Sequence, residues 1–376
     1  MNGREKILAA LSYEGTNEIP VVICYEDIYI RDHWKDLTYC PWWFTVEPDI
    51  EKQLKWRNDV FPKISQDWFS LPTGYSKEDR ANISISEGQG AVVLHNSKTG
   101  KNETINEPII GGDSYTSVQK TVAPQSKEEI DRRIEALYNR NIDNMKTDGS
   151  CDLANSVKTG IGAGKLPLRH VPSPLYHCVY MWGYENFMTE LFDEPGLIKY
   201  AADKFEEKNR KLITESAILG AEVLWIEECF LDAISPAMFE TYNLPYMSRL
   251  ISDIRAAGMK SIYYHCGDPK GKIELILKTN PDAVSFEEGK KGFQIDIQQV
   301  VELINKRCAV LGNLDAMWLL PYCTELELKN EINRQISAGR KNGGRFIMSI
   351  GSPVTPGTSV SKVKQYCDIT RELGKI

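Results

Sequence analysis

The feature that most constrains this chain is the regular alternation in its second half. Mostly apolar runs at 166–171, 222–227, 260–265, 282–286, 308–312 and 344–349 each lead through a loop into a segment of helical period. Short runs of that kind mark buried strands, and strands alternating with helices imply parallel pairing through right-handed crossovers. Helix starts support the boundaries. Ser235-Pro236 sets a capping residue before a first-turn proline, Thr324 with Glu327 forms a capping box, and Ser126 with Glu129 opens a helix at about 127–145. Ile19–Cys24 and a weaker run near Asp67–Leu71 bring the strand count to eight. That number predicts a closed (β/α)8 TIM barrel, and 376 residues suffice for one such barrel with insertions as a single domain over 1–376. No GxGxxG follows an early strand and no GxxxxGK[ST] occurs, which leaves a nucleotide-binding open sheet without support.

Residues 80–125 break the rhythm. They are rich in Gly, Asn, Ser and Thr, with short apolar pieces such as Ala91-Val92-Val93-Leu94-His95 between polar turns. The stretch predicts a β-hairpin excursion beside the barrel mouth, either a surface elaboration or a lid. A net charge of −7 and a pI near 5.5 argue against nucleic-acid or anionic-membrane partners. The apolar runs are too short to span a bilayer, and the amino-terminal residues lead straight into an amphipathic helix without a signal-peptide core. Nine scattered cysteines with no CxxC pair fit a reducing compartment, so the expected location is the cytoplasm.

In a barrel of this kind, chemistry belongs to the carboxyl ends of the strands. Five of them carry polar groups: Glu227, Glu228 and Cys229; His265, Cys266 and Gly267; Glu287 and Glu288; Gly312, Asn313 and Asp315; Ser349 and Ser352. Carboxylates, an imidazole and a thiol converging on one mouth suit a divalent metal, most naturally zinc with mixed ligands. The plainer reading is that paired glutamates are solvated or pair with a lysine such as Lys290, and that Cys229 packs as a small hydrophobe. His265 stands apart as one of five histidines, ending a buried strand. His265 and Cys266 can share a metal only if the backbone turns between them, which Gly267 would permit.

These strand ends resemble those of the uroporphyrinogen-decarboxylase superfamily. The resemblance is carried by Arg4 to Leu11 closing on Ile19-Pro20-Val21, by Ile234-Ser235-Pro236 and Leu244-Pro245-Tyr246, by Gly312-Asn313-Leu314-Asp315, and by Gly343 to Ser352 with Pro356-Gly357-Thr358. The superfamily implies one of two activities. True decarboxylases hold a polycarboxylate tetrapyrrole with an arginine-rich amino-terminal segment and an essential aspartate. The matching stretch here, Cys24 to Asp32, offers Arg31 alone among Glu26, Asp27 and Asp32. The other branch comprises zinc-dependent, corrinoid-linked methyltransferases with a His-x-Cys-Gly signature and a late cysteine. Cys266-Gly267 matches, whereas Tyr264 fills the histidine slot, His265 is displaced by one, and Ser352 replaces the cysteine. A harder, oxygen-richer site would suit an ether donor better than a thiol acceptor.

The resemblance therefore implies a methyltransferase moving a methyl group from a small donor, such as a methoxylated aromatic, to a corrinoid carried by a separate protein, since no DxHxxG motif occurs here. The candidate acid, base or metal-polarised groups are Glu228, His265 and Asp315; the candidate zinc ligands are Glu228, His265 and Cys266. Tyr180, Trp182, Tyr264 and Asn313 are candidate substrate contacts, and Trp42, Trp43, Trp68 and Tyr176 further aromatics for an aryl pocket. Each aromatic could equally be ordinary packing. Two alternatives remain: a non-catalytic protein binding a small molecule or a corrinoid partner, and a decarboxylase-type lyase.

Overall fold

The computed structural model describes residues 1–112, 122–137, 141–289 and 292–375. Among the described residues there are ten strands: β1 (Trp68–Ser70), β2 (Ile83–Glu87), β3 (Ala91–Asn96), β4 (Lys101–Asn106), β5 (Leu166–Pro172), β6 (Val223–Glu228), β7 (Lys260–His265), β8 (Ala283–Phe286), β9 (Ala309–Leu311) and β10 (Phe346–Ile347). Seven of them form one parallel sheet in the order β1-β5-β6-β7-β8-β9-β10, with helices between successive strands. The six late runs and the weak run near Asp67–Leu71 are all strands. Residues 344–349 supply only two strand residues, because Gly344 there adopts a left-handed conformation (φ 74°) and packs on Thr16.

The eighth position is filled by Ile19–Cys24, though not as a regular strand. Val21 makes one parallel bridge with Met348, the Val22 N–H donates to the Met348 carbonyl (2.9 Å), and the Met348 N–H donates to that of Pro20 (2.9 Å). On its other side the Asp67 N–H donates to the Val21 carbonyl (2.9 Å), and the Asp67 carboxylate accepts the Val21 N–H (2.8 Å). The Gln66 side-chain oxygen takes the Ile23 N–H (2.9 Å). Side chains thus stand in for missing ladder bonds, because buried backbone groups must be satisfied one way or another. With this segment bonded to the residues just before β1 and just after β10, the sheet closes into a TIM barrel.

Register decides which side chains face the lumen. His170 pairs with Trp225, Trp225 with Ile262, and Glu227 with Tyr264. Partners in a parallel pair share a face, and residues two apart on a strand share it too. The rings confirm that this face is the interior: Trp68, His170, Trp225, Tyr264 and, from the first loop, Tyr25 form one continuous set with centroids 5.0–6.1 Å apart. The alternate residues meet the helices. Arg169 ion-pairs with Glu215 of helix Pro195–Leu219 (3.1 Å), Tyr263 bonds Asn243, and Phe346 packs against Gly339 of helix Glu325–Arg340.

The excursion is an antiparallel three-stranded sheet, β2-β3-β4, as its turn-rich composition predicts. Val92 and Leu94 are its buried side chains. Its return reaches the mouth: the Gly111 N–H donates to Asp32 (3.0 Å), and Gly111 lies beside Pro356 in the loop after β10. The expected hairpins continue to 125, of which 113–121 lie outside the described residues. The helix predicted for about 127–145 runs from Lys127 to Leu137; 138–140 also lie outside, and residues beyond them are turns. No helix among the described residues is long and apolar enough to cross a membrane.

Candidate active site

All the polar strand ends come to the same end of the barrel, but they do not face the same space. Glu228 and His265 are partners across β6 and β7. Both lie on the helix-facing side, with no exposed surface. The Glu228 carboxylate accepts from Ser173 Oγ (2.6 Å), Asn243 Nδ2 (2.7 Å) and Tyr263 Oη (3.1 Å). Burial without a cation raises its pKa to about 7, although those three donors pull the other way. It ties β6 to the start of helix Pro174–Trp182, whose capping residue is Ser173, and to the π-helical turn Phe239–Asn243.

His265 packs edge-on against Phe239 (6.1 Å), and neither ring nitrogen makes a well-formed hydrogen bond. Burial first, then the nearby Lys272 ammonium, lowers its pKa to about 3, with the Asp268 backbone opposing. The neutral imidazole is thus buried on the helix side of β7, between Phe239, Lys272 and the Asp268 backbone, away from the lumen.

Cys266, one residue on, turns the other way. It meets Cys229, the next residue along β6, and the contact between the two thiols, together with burial, pushes the Cys229 thiol well up. The Tyr176 hydroxyl approaches Cys229 and shares a 2.7 Å hydrogen bond with that of Tyr180. Glu228, His265 and Cys266 therefore do not converge on one point, and zinc does not fit them. Among the described residues no three His, Cys, Asp or Glu side chains gather into a metal-holding group.

The backbone turn expected at Gly267 is present (φ 100°), and its N–H donates to Glu287 (2.8 Å). A Cβ there would fall 2.3–2.5 Å from Asp232 side-chain atoms. Gly267→Ala should therefore lower stability by about 2–3 kcal/mol through strain and displacement of Asp232. A urea midpoint equal to that of the unmodified protein would show that the turn tolerates a side chain.

The other expected contacts are dispersed. Glu288 accepts from Ser352 Oγ (2.7 Å), so the glutamate pair pins the mouth loops together; Lys290 lies outside the described residues. Asn313 clamps the carbonyls of Glu287 (3.2 Å) and Ile295 (2.8 Å). Asp315 caps the turn after β9 by accepting from the Met317 (2.8 Å) and Trp318 (2.7 Å) N–H groups. Trp182 is wholly buried on its helix, whereas Tyr180 is exposed. Tyr264 does face the lumen, and its hydroxyl donates to the Gly351 carbonyl (3.3 Å).

The chemistry on the interior wall lies one residue out of phase with the sequence candidates. Glu227, not Glu228, shares a face with Trp225 and Tyr264, and it accepts a 2.9 Å bond from His170 Nδ1. Both side chains reach solvent, at 24% for His170 and 18% for Glu227. Tyr25, in a left-handed conformation at the head of helix Glu26–Asp32, lays its ring 5.3 Å from that of His170. Sequence reasoning passed over His170 and Tyr25. The available signal was period two along 166–171, which puts His170 on one face with Leu166 and Leu168.

A parallel (β/α)8 barrel with a polar, aromatic mouth at the strand ends is the class that fold and site define. The chain belongs to the uroporphyrinogen decarboxylase (URO-D) family, whose family model matches residues 119–373. Among similar curated proteins, the uroporphyrinogen decarboxylase of Thermodesulfovibrio yellowstonii is 25% identical over 189 residues, 50% of this chain and 52% of that protein. That of Anaeromyxobacter sp. is 26% identical over 189 residues, 50% of this chain and 51% of the relative. The matched region thus spans about half the length of these relatives. Among solved structures, a methyltransferase from Methanosarcina mazei shares the fold over 99% of both chains, with a TM-score of 0.67 and 15% identity.

Proposed function

We propose that this protein is a methyltransferase that takes the methyl group of a small methoxylated aromatic donor and passes it to a reduced corrinoid on a separate protein. The observation that carries the reading is the interior wall. Tyr25 and Trp225 flank His170, whose Nδ1 is bonded to Glu227, and Trp68 and Tyr264 pack behind them, which sets an aromatic wall beside a proton-handling group. The lumen-facing residues of the upper halves of β5, β6 and β7 include no arginine or lysine. A polycarboxylate porphyrinogen bound there would leave its charges unpaired, at high cost. Arg31, the one arginine of the first loop, is ion-paired with Asp32 (2.8 Å). The shared fold with a methyltransferase along the whole chain supports the same branch.

Methyl transfer from an ether needs a strong nucleophile and help for a poor leaving group. The corrinoid would supply the nucleophilic electron pair of its reduced cobalt. This chain would stack the donor's ring, exclude water from it and assist the departing oxygen.

The test is incubation with reduced corrinoid protein, or with free cob(I)alamin, and a panel of methoxylated benzenes. Loss of the reduced corrinoid's absorbance and release of the matching phenol are expected, together with no turnover of uroporphyrinogen. Porphyrinogen turnover without methyl transfer from any donor would replace this reading by the decarboxylase one.

A further inference from the structure

Among the five histidines of the chain, four are placed where they cannot reach a substrate in the lumen. His33 is buried with its ring nitrogens against the backbone carbonyls of Tyr29 (3.0 Å) and Thr358 (2.7 Å). His95 sits on the hairpin sheet beside Asn102. His177 stacks on Phe205, and burial lowers its pKa to about 4; His265 is sealed on the helix side. His170 differs in each respect. It faces the interior, reaches solvent, and among the described residues only its Nδ1 takes a hydrogen-bond partner, with Nε2 on the far side of the ring.

We propose that His170 is the acid that protonates the departing oxygen, with Glu227 as the positioning residue that holds the ring's angle through Nδ1–H. The assignment rests on the methyl-transfer reading. With Nδ1–H held by the carboxylate, a ring that carries a second proton presents it on Nε2, on the side away from Glu227 and toward a substrate. In the step, the methyl–oxygen bond breaks with both electrons staying on oxygen. The methyl group bonds to the acceptor's electron pair, and the Nε2 proton moves to the oxygen to give a neutral phenol. Solvent restores the proton, which the partial exposure of His170 allows. Tyr25 and Trp225 lie 5.3 and 6.1 Å from the imidazole, so its immediate neighbours are aromatic rings.

The leaving group provides the test. An acid matters most when the phenolate is a poor leaving group and least when it is stable without a proton. Initial rates would be measured for the unmodified protein, His170→Asn and Glu227→Gln across methoxybenzenes running from electron-rich methoxyphenols to nitroanisoles. His170→Asn is expected to lose on the order of 10²–10⁴-fold with methoxyphenols but only a few-fold with nitroanisoles. Glu227→Gln should show the same trend with a smaller amplitude. A merely structural role would lower all donors alike, so equal loss across the series, or none, overturns the acid assignment while leaving methyl transfer intact. Inactivity of the unmodified protein with every donor overturns the functional reading and the acid role together. Imidazole ¹⁵N spectra serve as a fold-independent check. A hydrogen-bonded Nδ1 signal present in the unmodified protein should vanish in Glu227→Ala, which leaves Nδ1–H without its acceptor, and phenol should perturb Nε2 only where His170 is present. A spectrum indifferent to phenol also sinks the assignment.

Discussion

Trp225→Ala is expected to lower the free energy of unfolding by about 3–5 kcal/mol, the range for removing a large aromatic from a packed core. Trp225 is 1% exposed and is the hub of the interior rings, within 5.0–6.1 Å of Tyr264, Trp68, Tyr25 and His170. Its neighbours are held by strand backbones, so they cannot collapse far into the space it leaves. A cavity of that shape, lined by aromatic faces, should accept indole. Added indole should therefore raise the variant's melting temperature and leave that of the unmodified protein unchanged. On the proposed reading the same variant should raise the KM for a methoxylated donor more than it lowers kcat, because Trp225 backs the aromatic wall and carries no proton to transfer. A variant of near-native stability would mean that the lumen repacks and that the ring wall does not define a site.

How far the amino-acid sequence reveals this arrangement depends on the property asked about. Strand existence is legible: the late apolar runs and the weaker run near Asp67–Leu71 are strands, because a strand covered on both faces must be apolar along its length. That same property hides which face each residue takes. Trp225 and Ile226 are equally apolar, so nothing in their hydrophobicity says that Glu227 turns inward and Glu228 outward. Tyr264 and His265 pose the same problem one strand over. A one-residue shift in phase moves every side chain to the other face, which is why the strand-end pattern expects Glu228 and His265 in the lumen whereas the helix layer holds them. The His170–Glu227 bond is less legible still, since it joins residues 57 apart through the register of β5 on β6. The resemblance located the right end of the barrel. It could not say that the imidazole facing the lumen comes from β5. The apolar run Ile19–Cys24 marks an eighth strand position, but its dependence on the Asp67 and Gln66 side chains follows from contacts with the residues just before β1 that local pattern does not encode.

Glu228, freed from a ligand role, has a different consequence: replacing it by glutamine should flatten the protein's stability between about pH 4.5 and 7. Its folded-state pKa is raised to about 7 from 4.5, chiefly by burial. Below pH 4.5 the carboxyl is protonated in both states and carries no penalty. As pH rises toward 7, the unfolded chain gives up this proton while the folded chain keeps it, so the unfolded state binds fewer protons and stability falls with pH. Above 7 both forms are ionised and the loss stays constant, at about 3 kcal/mol for a shift of this size. Burial also raises Glu26, in the same direction, so the comparison must be between the two proteins and not within one. Glutamine can keep the network, because the Asn243 Oδ1 atom is buried without a partner. A flipped Asn243 amide would accept from the new side-chain amide, with Ser173 Oγ still donating to the remaining oxygen. Urea unfolding at half-unit steps from pH 4.5 to 8 gives the measurement. The two stability curves should meet near pH 4.5 and separate progressively up to pH 7, with the glutamine variant the more stable at the alkaline end. Parallel curves would mean that Glu228 is ionised in the folded protein throughout, and that its three donors outweigh the burial of its charge.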